Sequence, residues 1–281
     1  MKRRPPTLGP TRLATLCCKA GVPLSVVAGL AVVTTAIAAT QPTKRPGELT
    51  VALNLPRPAL QVGAVHGGDV VLAHGLEVDV ARALARRLGL RLRLVQVRDA
   101  QRLLQAGAKS WDVALAQLVP TPTRERAVSF TTPYLHDDPV VLIRRGLTRP
   151  TSLAELRPLK LCAERGRRAA DVVAGRVRPR ERRLLVGNVD ALLRKLQTGA
   201  CDAGLAELSR LGPELEGRRD LYGGLAGRIE TERAYAVALE RNDALLPATD
   251  RALRSLRADG TLRRLAMAWL GVDQARLRVL R

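Results

Sequence analysis

Short apolar segments alternate with amphipathic helical segments in two separate rounds, which limits this chain to a small set of α/β architectures. Leu49, Val51 and Leu53 alternate as a strand. Leu76, Val80, Leu84 and Leu88 recur every four residues in GLEVDVARALARRLG and predict a helix closed by Gly89. Leu90, Leu92 and Leu94, interleaved with Arg91 and Arg93, predict the next strand. A short helix over Arg102–Ala106 and a strand over Asp112–Leu118 complete the first round. Parallel strands need crossover connections, so this order implies a parallel sheet.

The second round begins after about residue 150. Leu159–Ala163, Leu184–Val186 and Ala203–Ala206 read as strands, with helices starting at Ala169–Ala174 and spanning Val189–Leu196. Between the rounds lies an extended apolar run, Pro139–Arg144, and a second, Tyr235–Leu239, follows near the end. Two extended connections between two α/β units predict a hinge. Two last helices, Pro247–Arg257 and Leu262–Leu270, are expected to return to the first unit, with a break at Asp259-Gly260. The expected organisation is therefore a leader at 1–39, a polar linker at 40–46, a first lobe at 47–141 plus 238–271, a second lobe at 142–237, and a tail at 272–281.

The chain carries 47 Lys plus Arg against 26 Asp plus Glu, a formal net charge of +21, with only 2% aromatic residues. Arg is spread along the whole chain, with no stacking platform and no recognition element, so nucleic acid is not the expected partner. Attraction to an anionic membrane or cell-wall surface fits this distribution better. Residues 1–39 read as a targeting segment: Lys2, Arg3, Arg4, Arg12 and Lys19 precede an apolar stretch over 21–39, and Ala36-Ile37-Ala38 offers small residues for cleavage. The same stretch is long enough to anchor the chain in a membrane uncleaved. Export is expected either way, to the periplasm or cell surface; cleavage near Ala38 would leave a net charge of roughly +16.

Export also governs the cysteines. Cys17 and Cys18 fall in the leader, so Cys162 and Cys201 are left as a pair, and an oxidising compartment favours a disulfide over a metal site. Two buried free thiols are the alternative. No metal or cofactor site is expected, because His66, His74 and His136 form no ligand or catalytic constellation.

The segment DVALAQLVPTPTRERAVSFTTPYL, Asp112–Leu135, carries the functional signal. An apolar run ends in a Pro-containing turn that presents Arg124, whose planar guanidinium matches a carboxylate and stays charged at any working pH. Thr121-Pro122-Thr123-Arg124, Val128, Phe130 and Pro133-Tyr134, without a gap, resemble the bacterial extracellular solute-binding proteins of family 3, which serve amino-acid uptake. TSLAEL, LVGNVDALLRKLQTGACDAGLAE and ADGTLRRLAMAWLG extend the resemblance over about residues 47–271. It implies a two-lobed periplasmic binding protein type 2 fold, a Venus-flytrap clamp with a ligand cleft and a two-strand hinge.

Ligands of open α/β sheets sit beyond the C-terminal strand ends, which selects 54–58, 118–124, 164–167 and 206–207. The resemblance implies that Arg124 binds a ligand α-carboxylate, Glu207 its ammonium, and Gly166 assists the carboxylate. Thr121, Val119, Asn54 and Arg167 complete the expected ligand-binding set. There are departures: Arg167 stands where Thr is usual, Val119-Pro120 removes a hydroxyl, and Leu55, Ala59 and Ala100 offer no ring. The loss of rings argues against aromatic or flat cationic cargo, and Arg165 with Arg167 favours an acidic one. The expected function is a monomeric, non-enzymatic binding component of an ABC importer that hands a small polar amino acid or related anionic solute to permease subunits. The alternatives are a sensory or partner-docking module, of the kind associated with quinoprotein dehydrogenases, and a periplasmic dehydratase.

Overall fold

The structure is a computed structural model that describes residues 42–231 and 234–281. The expected leader or anchor at 1–39 lies outside the described residues, as does the start of the linker. Two open sheets and a two-stranded ribbon organise the rest. Fourteen strands are described: β1 (Glu48–Leu53), β2 (Val62–His66), β3 (Asp69–His74), β4 (Arg91–Gln96), β5 (Val113–Ala114), β6 (Val128–Phe130), β7 (Leu135–His136), β8 (Pro139–Ile143), β9 (Leu161–Glu164), β10 (Leu184–Val186), β11 (Ala203–Glu207), β12 (Gly224–Arg228), β13 (Ala234–Tyr235) and β14 (Ala238–Glu240). The helices are α1 (Leu76–Leu88), α2 (Ala100–Leu103), α3 (Pro122–Glu125), α4 (Leu153–Leu156), α5 (Arg168–Val172), α6 (Val189–Gln197), α7 (Leu208–Glu214), α8 (Leu246–Ala258) and α9 (Thr261–Leu270).

The first sheet runs β2-β3-β4-β1-β5-β14-β6 and the second β10-β9-β11-β8-β12. β1 lies parallel between β4 and β5, with Val51 opposite both Leu94 and Val113. Its alternating leucines suggested one buried face, yet every residue from Leu49 to Leu53 is buried, as befits a central parallel strand covered on both sides. α1 crosses from this sheet with Glu77 and Asp79 in its first turn and Arg86 and Arg87 in its last, a distribution that complements the helix dipole. Gly89 closes it at φ 71, donating back to Ala85 O and Arg86 O.

Several boundaries move. Pro139–Ile143, expected as a free connection, is a strand of the second sheet, hydrogen-bonded between β11 and β12. The expected lobe boundary at 141/142 therefore falls inside β8. The chain crosses earlier, through β7 and β13, which pair antiparallel with Leu135 opposite Tyr235. The strand expected over Asp112–Leu118 shortens to Val113–Ala114, and the backbone turns to a left-handed φ of 52 at Gln117. Residues around His66 form the β2–β3 hairpin, turned by Gly67 and Gly68 at φ 58 and 90. The tail at 272–281 is not detached: Leu280 is fully buried and its N–H donates to Arg228 O at 2.9 Å, beside β12.

Cys162 in β9 and Cys201, just before β11, are joined by a disulfide with Cα atoms 5.9 Å apart. Closing a loop of 39 residues contributes about 4 kcal/mol in the chain-entropy picture. Next to it, Gly204 lets α6 rest directly on the strand: a Cβ there would approach Leu192 Cδ2 to 2.4 Å. Asp112 ties the linker to the first sheet by accepting from the N–H groups of Lys44 and Thr50 at 2.6 and 2.7 Å. No helix of the described residues is long and apolar enough to cross a membrane.

Candidate functional site

The strand ends of both sheets and the hinge ribbon converge on one cavity of about 360 Å³. The first sheet supplies the turn after β1, with Arg57, Pro58 and Leu60, and Gln117 after β5. The hinge supplies Asp137 and Tyr235. The second sheet supplies Gly166 to Arg168 after β9, Glu207 at the end of β11, and Ser209 and Arg210 in α7. This is the placement expected beyond the C-terminal ends of parallel strands. A larger hollow of about 690 Å³, lined by Arg98, Arg102, Lys109 and Trp111, is built on the first sheet alone.

The turn after β1 is fixed before any ligand arrives. Leu76 N–H donates to Ala59 O and Glu77 N–H to Leu60 O, so the start of α1 pins residues 57–61. Gly75 makes this possible: at φ 122 its position brings a Cβ within 2.4 Å of Leu60 O. Asn54 spends its amide nitrogen on Val97 O and Arg98 O, both at 2.8 Å, while its oxygen accepts from Arg57 Nη2 at 2.8 Å. Asn54 thus orients Arg57 and does not itself line the cavity.

Gln117 is held by Glu77. This carboxylate is fully buried beneath the cavity, where it accepts from Gln117 N–H at 3.0 Å and from the side chains of Gln117, Gln61 and Tyr134. Burial pushes the Glu77 carboxyl above its ordinary range, with the hydrogen bonds from Tyr134 and the glutamines pulling it back. These bonds hold Gln117 in its left-handed conformation, a strained state for a residue with a Cβ.

Asp137 plays the equivalent part at the hinge. It accepts from Ser209 N–H and Oγ at 2.9 and 2.6 Å and from Tyr235 Oη at 3.1 Å, and burial raises its carboxyl. Asp138 is also buried, paired with Arg228 at 2.6 Å and accepting from Thr231 N–H and Oγ1 at 2.8 Å. These bonds explain the acidic pair after His136, which belongs to the hinge framework.

Glu207 is only 6% exposed. Its Oε1 accepts from Ala169 N–H at 3.0 Å, while among the described residues its Oε2 has no hydrogen-bond partner. Arg168 lies on the same cavity wall, and its Nε and Nη1 are buried without a partner among the described residues. Arg210, by contrast, is engaged by Glu164 through two bonds of 2.8 and 2.6 Å, and Arg167 Nε lies 3.5 Å from the same carboxylate.

Of the expected ligand-binding residues, the structure brings Gly166, Arg167 and Glu207 to this cavity. Arg124, Thr121, Val119 and Asn54 are not among its lining residues. Arg124 is half-buried and turns onto its own loop, where Nη1 donates to Val119 O at 2.8 Å and the N–H to the capping Thr121 Oγ1 at 3.3 Å. Arg165 is exposed and outside the lining. Sequence reasoning missed Arg57, Arg168, Gln117, Asp137 and Tyr235. Arg168 sits one position beyond the residue chosen, and the strand-end rule already pointed to the segment that holds Arg57.

Two open α/β sheets joined by a ribbon, with a charged cavity at their facing strand ends, define a two-lobed binding clamp. Residues 69–272 match the bacterial extracellular solute-binding proteins of family 3, and the chain belongs to that family. It is 32% identical over 212 residues to a membrane-bound lytic murein transglycosylase F of Ectopseudomonas mendocina, covering 71% of this chain and 42% of that protein. It is 27% identical over 210 residues to a probable amino-acid ABC transporter-binding protein of Haemophilus influenzae, covering 71% and 77% respectively. The fold is shared with the L-cystine solute receptor of Neisseria gonorrhoeae in its unliganded open conformation, at a TM-score of 0.69 and 19% identity, over 83% of this chain and 95% of that one.

Proposed function

We propose that the chain is an extracytoplasmic binding component of an ABC importer, taking a small polar amino acid or related anionic solute into the cleft between its lobes. The observation that carries this reading is Glu207, a carboxylate buried on a cavity wall with one oxygen that has no hydrogen-bond partner among the described residues. A buried charge of this kind is costly unless something pairs with it, and a ligand ammonium would. Guanidiniums on the same cavity supply the complement for a carboxylate. The cavity lies at the lower end of the size range of small-molecule sites, roughly 300–1,000 Å³, which suits a solute of amino-acid size. Because both sheets and the hinge contribute to it, a ligand there favours the closed arrangement of the clamp. In this reading the protein performs no chemistry, works as a monomer outside the cytoplasm and docks on permease subunits.

The match to part of a larger transglycosylase favours a second reading, in which the clamp serves as a sensory or docking module. A thermal-shift screen of the full chain against the twenty amino acids and small organic acids separates the two. A transport component shows a rise of several degrees with at least one polar amino acid, since binding the folded state at 100 times Kd adds about 2.7 kcal/mol. No shift with any member at millimolar concentration contradicts transport and favours the module.

A further inference from the structure

Four guanidiniums line the cleft cavity, those of Arg57, Arg167, Arg168 and Arg210, but they are not equally available. Arg210 is held bidentately by Glu164, and Arg167 approaches the same carboxylate. Asp137 is saturated by Ser209 and Tyr235. What the cavity leaves over is Arg168, with two buried nitrogens unpaired among the described residues, Arg57 across the gap from it on the first lobe, and one oxygen of Glu207.

We infer that Arg168, and not Arg124, takes the solute's α-carboxylate, and that Arg57 selects a solute bearing a second anionic group, an acidic amino acid. This deepens the solute-binding reading and rests on it. An amino-acid head brings one carboxylate and one ammonium, which match Arg168 and Glu207 on a single lobe. That match leaves Arg57 as an uncompensated cation facing the rest of the ligand. Like charge disfavours a cationic side chain in that space, and a neutral one gives Arg57 no partner. Arg57 is also pre-positioned: Nη2 donates to Asn54 Oδ1 and Nη1 to Pro56 O, both at 2.8 Å, so little side-chain freedom is lost when an anion arrives. Arg124 has no comparable role, because its guanidinium caps its own turn through Val119 O and lies outside the lining.

Calorimetric titration of the full chain with L-glutamate, L-aspartate, L-glutamine and L-lysine tests this. One of the two acidic amino acids should bind at least ~10-fold more tightly than L-glutamine, and L-lysine should not bind. Arg168→Gln should weaken every ligand by about 100-fold or more, whereas Arg57→Gln should erase the preference for the acid over L-glutamine. Arg124→Gln should change affinities by less than ~3-fold. Melting temperatures of the unliganded variants report folding, and if Arg168→Gln is not folded the Arg57 and Arg124 arms decide. Tighter binding of L-glutamine or L-lysine than of either acid, or loss of binding in Arg124→Gln with Arg168→Gln intact, overturns the inference and leaves solute binding standing. Absence of binding by all four overturns the inference, and the thermal screen of the twenty amino acids and small organic acids then decides whether solute binding stands.

Discussion

Replacing Glu77 by alanine is expected to cost about 3–5 kcal/mol of folding stability, more than any surface change in this chain. The carboxylate is fully buried and gathers Gln117 N–H, the Gln117 and Gln61 side-chain amides, and the Tyr134 hydroxyl. Gln61 Nε2 keeps a second acceptor in Leu115 O at 2.5 Å, but the buried Tyr134 Oη is stranded when the acid is removed, and the half-buried Gln117 N–H loses its acceptor. Each stranded donor costs about 1–3 kcal/mol, and the emptied volume adds a cavity cost. For a domain of this size the melting temperature should fall by roughly 10 °C. The variant should also bind ligand more weakly, because Gln117 loses the bonds that hold its left-handed backbone beside the cavity. A drop of less than ~1 kcal/mol in urea denaturation would show that the four-donor arrangement is not what holds the cleft floor.

The same residue has a pH signature. Burial raises the Glu77 carboxyl in the folded state above its ordinary 4.5, so the folded chain keeps this proton longer than the unfolded chain does. The stability it contributes is fully present below 4.5 and is lost as pH rises through the folded-state value. Glu77→Gln should flatten that decline in the melting-temperature profile.

The second large effect concerns Glu207. Alanine there should weaken the binding of an amino acid by at least ~100-fold, since truncating one partner of a desolvated charge pair typically costs 2–5 kcal/mol. The folded state should lose far less, because Oε2 makes no bond within the described protein and only Ala169 N–H depends on Oε1. Glu207→Gln keeps an acceptor for Ala169 and should retain the melting temperature while still failing to bind, which separates the loss of charge from the loss of packing. Wild-type affinity in Glu207→Gln would remove the ammonium from this wall.

The sequence made much of this legible, and the reasons for the failures are physical. Helix α1 follows from its four-residue spacing and α6 from apolar residues at 189, 192, 193 and 196, and the segments beyond the strand ends follow from the geometry of parallel sheets. Glu207 lies where the strand-end rule and the family resemblance both pointed, and the structure puts it on the cavity wall. Glu77 was not legible, since an acid in the first turn of a helix reads as an ordinary partner of the dipole. The hinge was misplaced because PVVLI is equally apolar whether it crosses between lobes or lies paired inside one; only the partners β11 and β12 distinguish the cases. Arg124 was expected at the ligand because its flanking motif is intact, and the structure places it outside the cavity lining. Its guanidinium donates to the backbone carbonyl of Val119 on its own loop. Arg168 is one residue past the extended Arg167, and that single step turns a side chain paired at the rim into a half-buried one with two nitrogens enclosed in the wall.

The most direct test is a crystal structure of the full chain with the amino acid that stabilises it most in the thermal screen. The ligand is expected in the cavity between the β9, β11 and β1 strand ends, its ammonium about 3 Å from Glu207 Oε2 and its carboxylate on Arg168. A ligand bound elsewhere, or one in the cleft with its ammonium turned away from Glu207, would contradict this placement.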